Sequence, residues 1–381
     1  MTWTQYQPTA DLPWDRARVI HLFRRAAFGA GPGDIERALA DGPGKTIARL
    51  LKPSADVAAF NRELDACETG SHSELRGWWL RRMILTPHPL LEKMTLFWHG
   101  WFGVGFNRVG NAAFMRDHIR TLRAHALGRF DALLGAAFRD PAVFLAAGGA
   151  NNPKTRPNQH FARQLLARYT VGEGQFTERD LTDTARAFTG HHVRAGKWRE
   201  VAGDHDDGAK TIFGQTGRWG PADFARLAAR QPATARRLVR ALYRQFISEE
   251  QEPTDELIEP LVCSFLDDLD IGELVATMLR SRIFFQSAQQ RIKSPVELAV
   301  GICRTLAITV PTVPLGAELA ELGQDLYQPP TINGWPGGRA WINYATIVGR
   351  FALVKRLLGK RDFPAALFGA PDPTSPEFQL A

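Results

Sequence analysis

NNPKTRPNQHFARQLLARYTVGEGQFTERDLTDTARAFTGHHV, residues Asn151–Val193, reads as two helices joined by a short glycine-bearing turn. Pro157 suits a first helical turn, where its missing N–H would have no partner. Phe161, Leu165 and Tyr169 recur every four residues and make an apolar stripe. Gly172 and Gly174 end that helix. Thr177 with Asp180 three residues on makes a capping box, with Asp in place of the usual Glu. Leu181, Ala185 and Phe188 form the next stripe, and Gly190 suits a left-handed C-cap. The polar residues left over are Asn158, Gln159, His160, Arg163, Gln164, Asp180, Arg186, His191 and His192. They surround a helix pair with hydrogen-bonding groups.

The same periodicity extends in both directions. Residues ~15–28 read as a helix with Val19, Leu22, Phe23 and Ala26 inward. Gly29–Gly33 breaks the pattern, and Asp34 can cap a helix through Ala40. Further helices are predicted at ~44–51, 73–85 and 88–102, the last with Leu90, Met94, Phe97 and Trp101 on one side. Residues ~111–138 suggest one long or two consecutive helices, and Pro141 can open another. After His192 the chain turns rich in Gly, Asp and Trp, which predicts loops with a short hairpin. Helices return at Ala222–Arg230, Thr234–Ile247, Thr254–Asp267, Ile271–Leu279, Pro295–Ile308, Gly316–Leu322 and Tyr344–Leu358. Gln328–Trp341 holds too many Pro and Gly residues for regular structure, and the last ~15 residues are expected to fray. With no sustained alternation and no fixed-period repeat, the expected fold is mainly α, multi-helical and globular, with long Gly/Pro/Trp-containing loops. It is expected to be a single domain over 1–381, with a possible subdivision into 1–192 and 193–381.

The chain has 381 residues, 44% hydrophobic and 23% charged, so a large core needs no disulfide or metal for stability. Cys67, Cys263 and Cys303 are far apart and form no CxxC, which suits reduced, mostly buried residues in the cytoplasm. The net charge is +7, and only nine of the 47 basic residues are lysine. The arginines are scattered among acids and no nucleic-acid motif occurs, so a nucleic-acid partner is not expected. The N-terminus lacks a basic-then-apolar leader, and no apolar run approaches the ~20 residues of a membrane span.

Ordered motifs run through the chain. They are His21–Gly29 (HLFRRAAFG), Glu92–Gly100 (EKMTLFWHG), Arg156-Pro157-Asn158 running into Ala162-Arg163, and Ala185–Gly190 (ARAFTG). His205–Thr211 (HDDGAKT), Lys293–Leu298 (KSPVEL), Pro329-Pro330, Gly334–Gly338 (GWPGG) and Trp341-Ile342-Asn343 follow. On these the chain resembles the DUF1800 family, bacterial proteins of uncharacterised function, over nearly its whole length. The chain also departs from that family. Relatives usually carry His where Trp101 stands, Glu at Gln159 and Gln164, another acid near Ala167, and Trp where His191 follows Thr-Gly. The resemblance therefore implies one fewer ligand and three fewer negative charges at the family's site. Either this member has lost the chemistry those carboxylates serve, or it uses His160, His191 or His192 instead. Many relatives carry export signals, so the absence of one here is an expectation of cytoplasmic location.

His99 lies in an aromatic helix, where it can be an acid–base group, a metal ligand or a satisfied core histidine. His160 and Gln164, and Gln159 and Arg163, are four apart and share helix faces. His191, His192, His205, Asp206 and Asp207 gather nitrogen and oxygen donors within 17 residues, without a tight ligand spacing. Gly208, Lys210 and Thr211 can hold an anion or form a polar surface loop. Trp198, Trp219, Trp335 and Trp341 can offer an aromatic platform for sugars or bases, or plug loops onto the core. GxSxG, HExxH, Walker A and GxGxxG are all missing, so no common mechanism is named by motif.

Two functions follow as expectations. One is an enzyme-like cleft with His99, Arg163 and His205 as catalytic groups. In it Asn158, Gln159, His160, Gln164, His191, Asp206, Lys210 and Trp335 bind a polar or anionic, carbohydrate-type substrate. Separate motifs would then bring His99, Asn158, Arg163 and His205 to one pocket. The other is a non-catalytic binding or scaffold protein on the same fold. No tightly bound metal is expected, because Trp101, Gln159 and Gln164 stand where relatives offer ligands and negative potential.

Overall fold

A computed structural model describes residues 3–52, 57–65, 70–194, 197–288 and 291–359. The expectations for Cys67 and for the last ~15 residues fall outside these. The chain is 63% helical and 6% strand, so the mainly α reading holds. One cluster of buried apolar side chains runs from Tyr6 to Leu357 and draws on nearly every helix. Among the described residues no helix is long and apolar enough to cross a membrane.

Helices form where the three-to-four spacing placed them, with specific corrections. The segment from Pro32 to Leu51 is two helical pieces meeting at Gly42, whose φ of 76° breaks the run before Pro43. Residues ~111–138 form two consecutive helices, one of the two expected alternatives, at Ala112–His125 and Phe130–Ala137. Short helices at Val57–Asp65, Phe106–Val109 and Arg282–Gln286 carry too few turns to show a period. In the opening stretch Pro157 lies just outside the helix, and Asn158 is the N-cap, its side chain accepting from Phe161 N–H. The helix then widens into a π-helix over Gln164–Tyr169, which no spacing argument foresaw. The Thr177–Asp180 capping box forms as read and opens Glu178–Ala187. The cap at that helix's other end is Phe188, while Gly190 takes the left-handed φ of 83° two residues later.

Among the described residues strands are confined to the region after Ala150. Asn151–Asn152, His191–Arg194 and Lys197–Glu200 make a three-stranded antiparallel sheet, with Asn151 opposite His192 and His191 opposite Glu200. Lys210–Ile212 and Gln215–Gly217 form a separate hairpin. His191 and His192 thus open a strand. Cys303 is buried, Cys263 is exposed, and both are free, which corrects the expectation of mostly buried cysteines for Cys263.

Candidate functional site

The helix Pro89–Phe102 starts with Pro89 in its first turn and ends at Gly103 in the left-handed region. It is buried on nearly all sides, including its polar residues Glu92, Lys93, Thr95 and His99. His99 is fully enclosed. Its ring meets Trp79 at 5.4 Å, Trp335 at 5.6 Å, His118 at 5.7 Å and Tyr327 at 5.8 Å between centroids. Neither His99 ring nitrogen has a protein hydrogen-bond partner. The same holds for His118 Nε2, the Tyr327 hydroxyl and Trp335 Nε1. Buried polar atoms are nearly always paired, because an unpaired one forfeits its hydration with no return. Five such atoms fall here on four side chains that meet around the His99 ring.

Burial, and then the neighbouring His118, hold the His99 pKa well below its ordinary value. The ring is therefore a neutral imidazole at pH 7, with one donor and one acceptor. Burial raises the Tyr327 hydroxyl far above the usual phenol range, so it too stays protonated. His118, in the helix Ala112–His125, places Nδ1 2.6 Å from Asp140 Oδ2. A carboxylate only accepts, so this contact puts the His118 proton on Nδ1 and leaves Nε2 as a base. Asp140 is held in turn, because its Oδ1 accepts from Ala142 N–H at the start of Pro141–Ala146. The arrangement can bind hydroxyl or carbonyl groups and move a proton at His118 Nε2.

The loop 323–343 supplies Tyr327 and Trp335, and its approach depends on two glycines. A Cβ on Gly103 would lie 2.1 Å from the Ile332 carbonyl oxygen, and one on Gly334 would lie 2.4 Å from that of Gly100. Both have positive φ, 59° and 76°. No other residue fits at either position without moving the backbone. Phe106 N–H donates to Tyr327 O at 2.7 Å, and Arg168 Nε donates to Ile332 O at 2.7 Å, fixing the loop from both sides. In this way the segment FWHG meets the segment GWPGG.

Behind Trp79 lies a buried ionic cluster. Glu92 accepts from Arg123 Nε at 2.6 Å, Arg123 Nη2 at 3.2 Å and Trp79 Nε1 at 3.2 Å, with Arg82 Nε at 3.4 Å. Burial opposes ionisation of Glu92, but Arg123 and Arg82 outweigh it and keep the pKa below the ordinary carboxyl value. Glu92 is thus a fixed anion that orients the Trp79 ring against His99.

The other candidate residues occupy a second neighbourhood. Asn158 Nδ2 donates to Gly148 O at 2.9 Å. Gln159 Nε2 reaches Thr182 Oγ1 at 3.4 Å, and His160 packs against Gly148. Arg163 pairs with Glu173 at 2.7 Å and stacks on Phe176, its side chain 41% exposed. Gln164 begins the π-helix and is half-buried. His191 Nδ1 lies 3.1 Å from both Phe188 O and Thr189 O, and its ring rests on Trp198. His192 Nδ1 meets Asn151 Oδ1 at 2.6 Å, with Nε2 3.0 Å from Asp204. His205 Nδ1 lies 2.8 Å from Thr189 O. Asp206 receives both arms of Arg186, at 2.7 and 3.2 Å, which lowers its pKa to about 2. Lys210 is buried and turns its ammonium onto the Asp206 and Gly208 carbonyls, closing the loop on itself. Of the eleven candidates, His99 and Trp335 are brought into contact, while the side-chain contacts given above for Asn158, Gln159, His160, Arg163, His191, His205, Asp206 and Lys210 lie between Gly148 and Lys210.

Sequence reasoning missed His118, Asp140 and Tyr327. Asp140 carried a faint signal, an acid just before Pro141 in the N-cap position. Among the described residues no three His, Cys, Asp or Glu side chains converge as a metal-binding group. Neither the curated proteins nor the solved structures contain a significant match to the chain. A family model described as "Protein of unknown function (DUF1800)" matches residues 21–378. The chain belongs to the DUF1800 family.

Proposed function

We propose that the protein is enzyme-like and acts by acid–base chemistry on a small polar, carbohydrate-type substrate held at His99, His118, Tyr327 and Trp335. The observation that carries this reading is the set of polar atoms without protein partners on those four residues. Sites that break the rules of a good core are expected where function requires it. His118, oriented by Asp140, serves as the base. Neutral His99 and Tyr327 offer hydrogen bonds that do not depend on pH near neutrality, and Trp335 adds an N–H. The rings of Trp79 and Trp335 give apolar faces of the kind on which a sugar ring can lie. Free Cys263 and Cys303 support a reducing, cytoplasmic setting for this activity.

A non-catalytic binding role on the same fold is the second reading. It is favoured by the complete enclosure of His99 and Tyr327, since a substrate reaches them only if the loop 323–343 moves. A panel of p-nitrophenyl acetate, p-nitrophenyl phosphate and p-nitrophenyl glycosides separates the two. Wild-type protein should turn over at least one, and His118→Ala should lower that rate by about 10²–10⁴. Turnover of none of them favours the binding role, and turnover undiminished in His118→Ala removes the dyad from the mechanism.

A further inference from the structure

A second unusual place in the core lies around Glu297, in the first turn of the helix Pro295–Thr305. Its Oε1 lies 2.6 Å from Arg291 Nη1 and 2.9 Å from Lys93 Nζ. Arg291 also reaches Glu249 at 3.2 Å. Glu297 acts electrostatically on Arg25, Lys293 and Arg350 as well. Arg24 joins from the side, donating to Arg291 O and acting on Arg25 and Lys293. Arg291, Lys93, Arg25, Lys293 and Arg350 are thus five cationic groups around the two carboxylates Glu297 and Glu249. Lys93 and Arg25 are 1% and 3% exposed, so water does not screen the excess at the centre.

Several polar atoms in the cluster are unpartnered. Arg25 uses Nη2 on Ile247 O and Ser287 O, while its buried Nη1 has no partner. Arg350, on the helix Tyr344–Leu358, has Nε and Nη2 buried and unpartnered. Glu249 Oε2 is a buried acceptor without a donor. A surplus of buried positive charge is costly unless an anion offsets it. The free guanidinium donors suit the oxygens of a tetrahedral oxyanion. The free carboxylate oxygen suits an anion that still carries a proton.

We infer that the Glu297-centred cluster between the helices Arg16–Ala26, Pro295–Thr305 and Tyr344–Leu358 is a binding site for a phosphate group. Arg25, Arg350 and Lys293 hold its oxygens, and Glu249 Oε2 accepts from the P–OH of the monoprotonated form. That last contact distinguishes phosphate from sulfate, which has no proton to give near pH 7. Burial lowers Lys93 and Lys293 to about 8 each, with Glu297 opposing the shift in both. A bound dianion would favour their charged forms. The site shares no residue with the His99 cluster and stands or falls independently of the proposed acid–base activity.

Isothermal titration calorimetry of the full chain near pH 7.5, at ionic strength fixed with chloride, tests the site with three probes. Inorganic phosphate should bind saturably at one per chain, with sulfate at least tenfold weaker. Glycerol 3-phosphate, which at this pH is mostly a dianion without a P–OH, should bind more weakly than inorganic phosphate; tighter binding of glycerol 3-phosphate points to a phosphate monoester and overturns the P–OH contact to Glu249. Arg350→Gln should weaken binding about tenfold or more, through loss of charge-assisted hydrogen bonds. Arg350→Lys, which keeps the charge without the fork, should fall between. Arg350 is only half-buried and makes none of the Lys93–Glu297–Arg291 contacts, so these variants should fold. No saturable heat from either phosphate probe, or equal affinity in wild type and Arg350→Gln, overturns the proposal. Sulfate bound as tightly as phosphate overturns the role of Glu249, whatever the variants do.

Discussion

The rings of His99 and Trp335 meet at 5.6 Å, and the three nitrogens they bring together have no protein partner. Such an arrangement lowers stability unless something else is gained. Replacing His99 by Leu, apolar and of similar bulk, should therefore leave the fold equally stable or raise its unfolding free energy, by about 1–3 kcal/mol. Urea denaturation measures this directly. A loss of 2 kcal/mol or more would mean that the imidazole is already well satisfied in the folded protein, and the site reading would lose its main support.

The buried cluster of Glu92 with Arg123 and Arg82 behaves in the opposite way. Glu92→Gln keeps the shape but removes the buried negative charge that Arg123 and Arg82 both reach. The expected loss is about 3–5 kcal/mol. The folded pKa of Glu92 is depressed, so its contribution is present above the unfolded carboxyl value of about 4.3 and is lost as pH falls through the folded value. The gap between wild type and Glu92→Gln in denaturant midpoint should thus close on acidification. A gap that persists unchanged to pH 2 would contradict it.

Alkaline pH probes the Glu297 cluster. Lys93 and Lys293 are both lowered to about 8, first by burial. Between about pH 8 and the ordinary lysine value of about 10.4 the unfolded chain holds more protons than the fold, so stability rises with pH. Burial raises Tyr327 and Tyr169, and this works against the rise once phenols ionise in the unfolded chain near pH 10. The gain should therefore appear between pH 8 and 10, on the order of 2 kcal/mol. Lys293→Met should flatten the slope. A wild-type stability that is flat or falling across that window would refute it.

What the sequence revealed and what it hid follow from range. Phe161, Leu165, Leu181 and Phe188 are buried as their spacing required, because helical periodicity is a local property. Thr177 and Asp180 cap as read, since a capping box closes over three residues. The π-helix at Gln164–Tyr169 was invisible: it is built against Arg237, which donates to the carbonyls of Ala167, Arg168 and Thr170 from a helix far along the chain. His118 looked like one more polar residue of an amphipathic helix. Tyr327 looked like a loop residue before two prolines. Packing of the helix Ala112–His125 on Pro89–Phe102 brings His118 to His99, and the approach of Gly103 to Ile332 and of Gly334 to Gly100 brings Tyr327; no window of sequence contains either contact.

Asp140→Asn tests the proton placement on which the acid–base reading depends. Asp140 has two duties, accepting from Ala142 N–H with Oδ1 and from His118 with Oδ2. An Asn that keeps its carbonyl oxygen on Ala142 must turn its amide toward His118 Nδ1. An amide donates, so the imidazole proton is forced from Nδ1 to Nε2, the atom that should act as base. The helix cap survives while the charge-assisted contact is lost, which should cost about 1.5–3 kcal/mol. The decisive readout is the nitrogen-15 NMR signature of His118. It should report Nδ1–H in the wild type and Nε2–H in Asp140→Asn, with turnover of any chromogenic substrate falling in step. If His118 carries its proton on Nε2 in the wild type, Asp140 does not set the tautomer, and the proposed base is wrongly assigned.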